Sequence, residues 1–339
     1  MPLVSIIIVN YNGKHFLKDC LSSIRASETP DEEVLVVDNA SSDGSCEYLR
    51  TGFPWVKVIE LDRNYGFAEA NNIGAEAASG TYLAFLNNDT VVTPGWMRQL
   101  VDALTADESI GVAGSKLLLH DAPGRLNSAG ANITFNGRGY DIGFGDPDRG
   151  QYDEAGPRGA VCAASMLVRR REFLSLGGFD SNYFMYFEDV DLCWRYWLGG
   201  YRVLYVPSSV VSHKFGGTSG SDRQTPLRVF YGLRNSMMNI LKNYELRHVI
   251  LPACFNILYA AAMIIASLVR LKPERAWAVV RALGSLAGHL AGVLRERNNV
   301  ARRRKISDDY LFANHLIVSL PHTIKEYLRL RKRSHSPAS

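Results

Sequence analysis

Three polar residues, Asn87, Asn88 and Asp89, follow directly on the apolar, β-prone run Tyr82–Leu86. A short buried strand that ends so abruptly brings its last side chains to the carboxyl edge of an open α/β sheet, where ligands gather. One carboxylate beside two amides there suits a divalent cation holding a diphosphate. The same residues also favour a plain strand-to-helix turn. Three earlier apolar runs end in the same manner. Residues 4–9 lead into Asn10-Tyr11-Asn12-Gly13, residues 34–37 into Asp38-Asn39, and residues 56–61 into Asp62-Arg63-Asn64-Tyr65-Gly66. Four strands delivering polar groups to one edge point to a nucleotide site.

Helices must lie between those strands. Leu17, Cys20, Leu21 and Ile24 fall on one helical face, Ser41, Ser42 and Asp43 can cap the next helix, and residues 67–78 form a third. The alternation predicts an α/β fold with a mostly parallel sheet and right-handed crossovers. A helix over 95–106 and a strand over 110–117 extend it. Residues 121–159, rich in Gly, Asp, Asn and Arg, predict an irregular excursion over the active face. A strand over 160–168 and a short helix over 169–176 follow, ended by Gly177-Gly178. An aromatic loop then enters a helix beginning near Glu188. Two short strands, 202–206 and 209–213, precede a Gly-rich loop at 216–220.

At 339 residues, 47% hydrophobic and 21% charged, the chain has an ordinary globular composition. Its net charge of +4 hides an asymmetry. Residues 1–227 hold 19 Lys and Arg against 28 Asp and Glu, a net −9; residues 228–339 hold 19 against 6, a net +13. The acidic part suits metal and polar substrate, and the basic part suits an anionic surface. Five cysteines at no metal or framework spacing, without a signal peptide, lead us to expect a reducing cytoplasm. Residues 249–269 are nearly uncharged and about long enough to span a bilayer, although Pro252 and Asn256 interrupt them. An amphipathic stretch over 276–294 and the cluster Arg302-Arg303-Arg304-Lys305 follow.

In order along the chain stand VSIIIVNYN (4–12), VVDNASSDGS (36–45), NYGFAEANN (64–72), FLNND (85–89), GGFD (177–180) and FEDVDLCWR (187–195). As a set they resemble family 2 glycosyltransferases, and among these the bacterial rhamnosyltransferase-like enzymes of cell-surface polysaccharide assembly. The resemblance covers residues 3–240. It implies a Rossmann-like A-type fold with a mostly parallel central sheet, and from about Leu227 onward the chain itself reads as a helical, basic C-terminal region. Residues 1–227 would be the nucleotide-sugar-binding catalytic domain, and 228–339 a basic helical region able to meet a membrane.

The resemblance also implies roles. Val9, Asn10 and Tyr11 would line the base pocket, with Asp38 accepting from the pyrimidine imide N–H, a donor that cytosine lacks. Asn64, Gly66 and Asn72 match contacts to nucleotide or sugar, although Asn72 could instead cap or hydrogen-bond within its helix. Asp89 matches the last carboxylate of the family's DXD metal triplet. Asn87 replaces the first Asp, which removes a charge and leaves Asn87 free to touch ribose. His213 would then complete a site for Mn²⁺ or Mg²⁺, the alternative being a structural histidine. Asp189 would be the base and Glu188 its support in the acceptor site, in a helix first turn that favours carboxylates. The alternative is that these residues only cap the helix. Asp191 should face elsewhere.

A nucleotidyltransferase would need a Gly-rich basic loop after the first strand, and a dinucleotide enzyme G-x-G-x-x-G; neither is present. A processive synthase would carry Q-x-x-R-W, which is also absent. The expectation is an inverting, metal-dependent glycosyltransferase acting on a cell-surface glycan or lipid-linked hydroxyl. dTDP-rhamnose is the favoured donor. The alternatives are a UDP-hexose donor or an inactive membrane-bound scaffold. Expected partners are the nucleotide-sugar, a glycan or polyprenyl-linked acceptor and an anionic membrane, not nucleic acid. The protein should lie in the cytoplasm at the inner face of the plasma membrane, lying on the bilayer rather than crossing it.

Overall fold

Strands β1 (Val4–Asn10), β2 (Glu32–Asp38), β3 (Lys57–Glu60) and β4 (Tyr82–Leu86) pair in parallel in the order β4-β1-β2-β3. In this computed structural model the described residues are 2–27, 31–214 and 225–325. The Gly-rich loop at 216–220 lies outside them. Helices α1 (Lys14–Ala26), α2 (Ser45–Gly52) and α3 (Gly66–Ala77) are the crossovers that parallel pairing requires. Alternation along β1 divides the core in two. Ile6 and Ile8 join the layer of α1, whose Leu17, Cys20, Leu21 and Ile24 point inward, while Ile7 joins the layer of α3.

The sheet continues past β4. After β5 (Thr90–Val92) and α4 (Trp96–Ala106) come β6 (Ile110–Leu119), β7 (Leu126–Ser128), β8 (Ala131–Thr134), β9 (Gly139–Asp141), β10 (Gly156–Pro157) and β11 (Ser165–Arg169). Helices α5 (Arg170–Ser175) and α6 (Glu188–Leu198) precede β12 (Arg202–His213). The full order is β10-β12-β6-β11-β4-β1-β2-β3, and β12, β6, β4, β1, β2 and β3 all run one way. The sheet is therefore mostly parallel. β11 runs against its neighbours, so its amino end reaches the edge where the others present carboxyl ends.

Three details depart from the sequence expectation. β11 begins at Ser165 rather than 160, because Ala160 leaves the sheet to bridge Ala131. The two short strands expected at 202–206 and 209–213 are one strand, β12, with its register broken between Val206 and Val210. Pro207 lies in that break, where a residue without N–H would interrupt a ladder and a bulge accommodates it. The excursion over 121–159 is more ordered than its composition suggests. β8 and β9 form a hairpin, β7 pairs with β6, and buried Lys116 on β6 binds Asp148 at 3.0 Å and also Asp153.

Beyond β12 the described residues form α7 (Pro226–Asn243), α8 (Leu246–Val269), α9 (Pro273–Arg303), α10 (Asp308–Ala313) and β13 (Ile317–Val318), and are helical again from Leu320. Thr225 caps α7 by accepting from Arg228 N–H, with Pro226 at the first turn. α7 packs on α6, α8 and α9, and β13 adds to β8. In α8 the polar interruptions face protein. Asn256 Oδ1 accepts from Asn136 at 3.0 Å, and Pro252 and Ala260 are buried beside it. The opposite face exposes Leu246, Ile250, Ile257, Leu258, Ile265 and Leu268. A helix facing water would place polar residues there. Among the described residues, α8 and α9 are the helices long and apolar enough to cross a membrane.

Candidate active site

Asp38 ends β2 fully buried. Its Oδ2 accepts from Asn10 Nδ2 at 3.0 Å and its Oδ1 from Ser41 N–H at 2.8 Å. Asn10 in turn accepts from Asn88 Nδ2 at 2.8 Å. The ends of β2, β1 and β4 are thus linked side chain to side chain, and Asp38 retains lone pairs for a further donor. Val9 and Asn10 lie in β1, and Tyr11 just after it is 39% exposed, with its ring available for stacking.

The loop before α3 is built around Asn39, the second polar residue at the end of the second apolar run. Its amide donates to Asn64 Oδ1 at 2.9 Å and to Gly66 C=O at 3.1 Å, and it accepts from Tyr65 N–H at 2.8 Å. Asn64 Oδ1 also accepts from Gly66 N–H. Gly66 has φ +83°, and a Cβ there would stand 2.5 Å from Phe184 O, so this position needs glycine twice over. Asn72 lies further along α3 and clamps Phe179, donating to its C=O at 2.8 Å and accepting from its N–H at 2.9 Å.

Asn87, Asp89 and His213, distant in sequence, meet where β4 and β12 end. His213 Nδ1 lies 2.6 Å from Asn127 Oδ1. An amide oxygen only accepts, so Nδ1 carries the proton and Nε2 presents its lone pair. Nε2 is 3.3 Å from Asn87 Nδ2 and 3.3 Å from Asp89 Oδ1, the latter a contact outside hydrogen-bond alignment. Asn87 Oδ1 and Asp89 Oδ1 are both buried and lack a hydrogen-bond partner. His213 Nε2 thus faces the Asn87 amide and an Asp89 oxygen that has no hydrogen-bond partner. A carboxylate oxygen and an imidazole nitrogen fit a divalent cation, and Asn127 orients the His213 ring in the way an outer contact orients a histidine ligand. Nothing in the spacing of Asn127 marks it in the sequence.

Glu188 and Asp189 open α6. Asp189 Oδ1 accepts from Val190 N–H at 2.8 Å and Oδ2 from Ala163 N–H at 3.3 Å. Burial raises Asp189, to about 6. Glu188 is buried with one oxygen unpartnered, and burial followed by the Asp189 charge pushes it well up. Burial thus disfavours two negative charges side by side at this turn. The loop entering this turn has φ of +59° at Phe184, +69° at Tyr186 and +67° at Phe187. Such backbone persists only where its surroundings hold it. Here α7 does so, since buried Asn235 donates to the carbonyls of Tyr183, Met185 and Tyr186 at 3.2, 2.9 and 2.7 Å.

Asp191 faces away from this edge, into a buried charge network. It binds Arg195 Nε at 2.8 Å and Lys242 Nζ at 2.8 Å, and Lys242 also binds Asp180 at 2.6 Å. Arg195 donates to Leu176 and Gly178 carbonyls, so it belongs to this frame. Trp194 is fully buried. The motif GGFD is thereby fastened to α6 and α7.

Residues 5–174 match the family model for glycosyl transferase family 2. N-acetylglucosaminyl-diphospho-decaprenol L-rhamnosyltransferase of Mycobacterium tuberculosis is 28% identical over 244 residues, 65% of this chain and 78% of the relative. Rhamnosyltransferase WbbL of Escherichia coli is 29% identical over 235 residues, 62% of this chain and 83% of the relative. Among solved structures, GalNAc-T7 with UDP, GalNAc and Mn²⁺ aligns with a TM-score of 0.57 at 20% identity, over 70% of this chain and 48% of that one. The mannosyltransferase PcManGT of Pyrobaculum calidifontis, in complex with GDP-Man and Mn²⁺, gives 0.52 at 18% identity, over 85% and 86%. These likenesses agree with the A-type fold described above.

Proposed function

This chain belongs to glycosyltransferase family 2, and from that premise we propose an inverting, metal-dependent transferase that moves rhamnose from dTDP-rhamnose to a hydroxyl of a lipid-linked glycan. The donor lies along the carboxyl edge of the sheet. Asp38 accepts the pyrimidine imide N–H, Val9, Asn10 and Tyr11 line the base, and Asn64 and Gly66 border the nucleotide. Asp89 and His213 hold a divalent cation, Mn²⁺ or Mg²⁺, with Asn87 beside it. The bound cation would neutralise the charge that develops on the departing diphosphate.

Asp189 takes the proton of the acceptor hydroxyl as that oxygen bonds to the anomeric carbon. The bond from that carbon to the diphosphate oxygen breaks on the opposite face, and its electron pair leaves with dTDP. A base raised toward neutrality is well matched to this task. Glu188 beside it, its carboxyl pushed well up by burial and then by the Asp189 charge, can hydrogen-bond the acceptor. The convergence of Asn87, Asp89 and His213 at the sheet edge that also receives Asp189 carries this reading. The rhamnosyltransferase relatives support the sugar. The exposed apolar face of α8 and the +13 charge of residues 228–339 support an anionic membrane at the cytoplasmic side, where a polyprenyl-linked acceptor would be met.

A donor panel tests it. Release of nucleoside diphosphate should be greatest with dTDP-rhamnose and should need membrane extract, and the product should show the inverted anomer by NMR. Preference for a UDP-hexose would move the sugar assignment, and a retained anomer would remove the single-base mechanism.

A further inference from the structure

The β8–β9 turn, packed on α6, carries a cation without a counter-ion. Arg138 is half-buried. Its guanidinium lies 5.2 Å over the ring of Tyr259 on α8, and its Nε is buried with no hydrogen-bond partner. Among the described residues no carboxylate pairs with it. The stem is held firmly. Arg138 N–H donates to Thr134 Oγ1 at 2.9 Å, its C=O accepts from Thr134 N–H at 2.7 Å, and Gly137 C=O accepts from Asn239 at 2.8 Å. The next residue, Gly139, is pressed so closely on α6 that a Cβ would stand 2.6 Å from Val190 Cγ2. Val190 directly follows Asp189. Arg138 therefore lies between the first turn of α6, which its neighbour Gly139 touches, and α8, whose outer face is apolar and exposed.

We propose that Arg138, seated on Tyr259, binds the diphosphate of an isoprenoid-linked acceptor. This rests on the lipid-linked acceptor proposed above. A half-buried guanidinium without an anion is costly unless a ligand brings one, and its planar fork fits phosphate oxygens. The geometry orders the acceptor: isoprenoid along α8, diphosphate at Arg138, sugar hydroxyl at Asp189. This anion site is separate from the donor's, which lies with Asp89 and His213.

The test uses full-length protein in detergent micelles, with the donor site filled by saturating dTDP and Mn²⁺. Binding of farnesyl diphosphate and farnesol is followed by calorimetry. Wild-type protein should prefer farnesyl diphosphate. Arg138→Gln should weaken that ligand about ten- to a hundredfold, leave farnesol unchanged, and keep dTDP affinity and Tm. Arg138→Lys should fall between, and Tyr259→Leu should weaken the diphosphate several-fold. These two variants carry the test if Arg138→Gln does not fold. Equal affinity of wild type for both ligands would overturn the lipid-linked acceptor and this site together. A wild-type preference that survives in Arg138→Gln would overturn this site alone. Loss of binding to phosphatidylglycerol vesicles with farnesyl diphosphate affinity intact would also overturn it, reassigning Arg138 to lipid headgroups.

Discussion

Asp189 and Asn87 are tied to consecutive residues of one backbone segment: Ala163 N–H donates to Asp189 Oδ2 at 3.3 Å, and Ala164 C=O accepts from Asn87 N–H at 3.2 Å. The proposed proton acceptor and the proposed diphosphate edge are thereby set at a fixed separation by the lead-in to β11. A rigid span of this kind is what in-line transfer between two substrates requires.

The pH dependence follows from Asp189. Burial raises it to about 6, and only the ionised form accepts a proton. kcat/KM should rise with unit slope up to about pH 6 and then level. A profile from pH 5 to 9 checks this, and a flat acid limb would point to another base. Stability runs the opposite way. A carboxyl raised above its ordinary 3.8 contributes stability that is present below that value and lost as pH rises through about 6. Asp189→Asn should therefore melt no lower than wild type at pH 8.

Metal affinity should depend on an amide that touches no metal. Asn127→Leu removes the acceptor that fixes the His213 tautomer, and should weaken Mn²⁺ binding about 10–100-fold. His213→Ala and Asp89→Ala should weaken it further. Titration calorimetry with Mn²⁺ and dTDP checks the order. Full activity in excess chelator would show that no metal takes part.

Much of this arrangement is legible from residue types. Strand ends at Asn10, Asp38 and Asn87 stand out because an apolar run that breaks into Asn or Asp marks the point where the chain leaves the core. The break in β12 is visible at Pro207, although it takes the form of a bulge rather than a gap. What stays hidden depends on contacts between distant segments. Asn127 meets His213 only because β7 pairs with β6 beside β12. Asn235 reads as an ordinary helical residue until α7 docks on the left-handed loop at Phe184, Tyr186 and Phe187. Local pattern carries no record of such meetings.

The buried network under α6 should be costly to break. Burial pushes Asp180 up, but the Lys242 ammonium more than offsets this and holds it well below the usual carboxylate range. Lys242→Met leaves Asp180 and Asp191 without that cation, and should lose about 3–5 kcal/mol in urea unfolding. A loss near zero would mean that Arg195 alone suffices.

Membrane attachment should reside on the outer face of α8. Replacing Ile250, Leu258 and Ile265 with Gln should release protein from anionic vesicles while sparing dTDP binding. These residues are 71%, 71% and 65% exposed, so folding should tolerate the change. Deleting everything after Tyr244 is a poorer test, because it also removes α9 from α7 and β13 from β8. Vesicle binding that survives the triple substitution would place attachment elsewhere.

The role of Asp189 as the base that deprotonates an acceptor, in a transfer from dTDP-rhamnose, can be tested directly. Acceptor-dependent dTDP release is measured side by side for wild type and Asp189→Asn, with membrane extract and Mn²⁺. The variant should bind dTDP normally and release it about 10²–10⁴ times more slowly. Turnover within a few-fold of wild type would contradict this role, and would leave Glu188 as the carboxylate to test next.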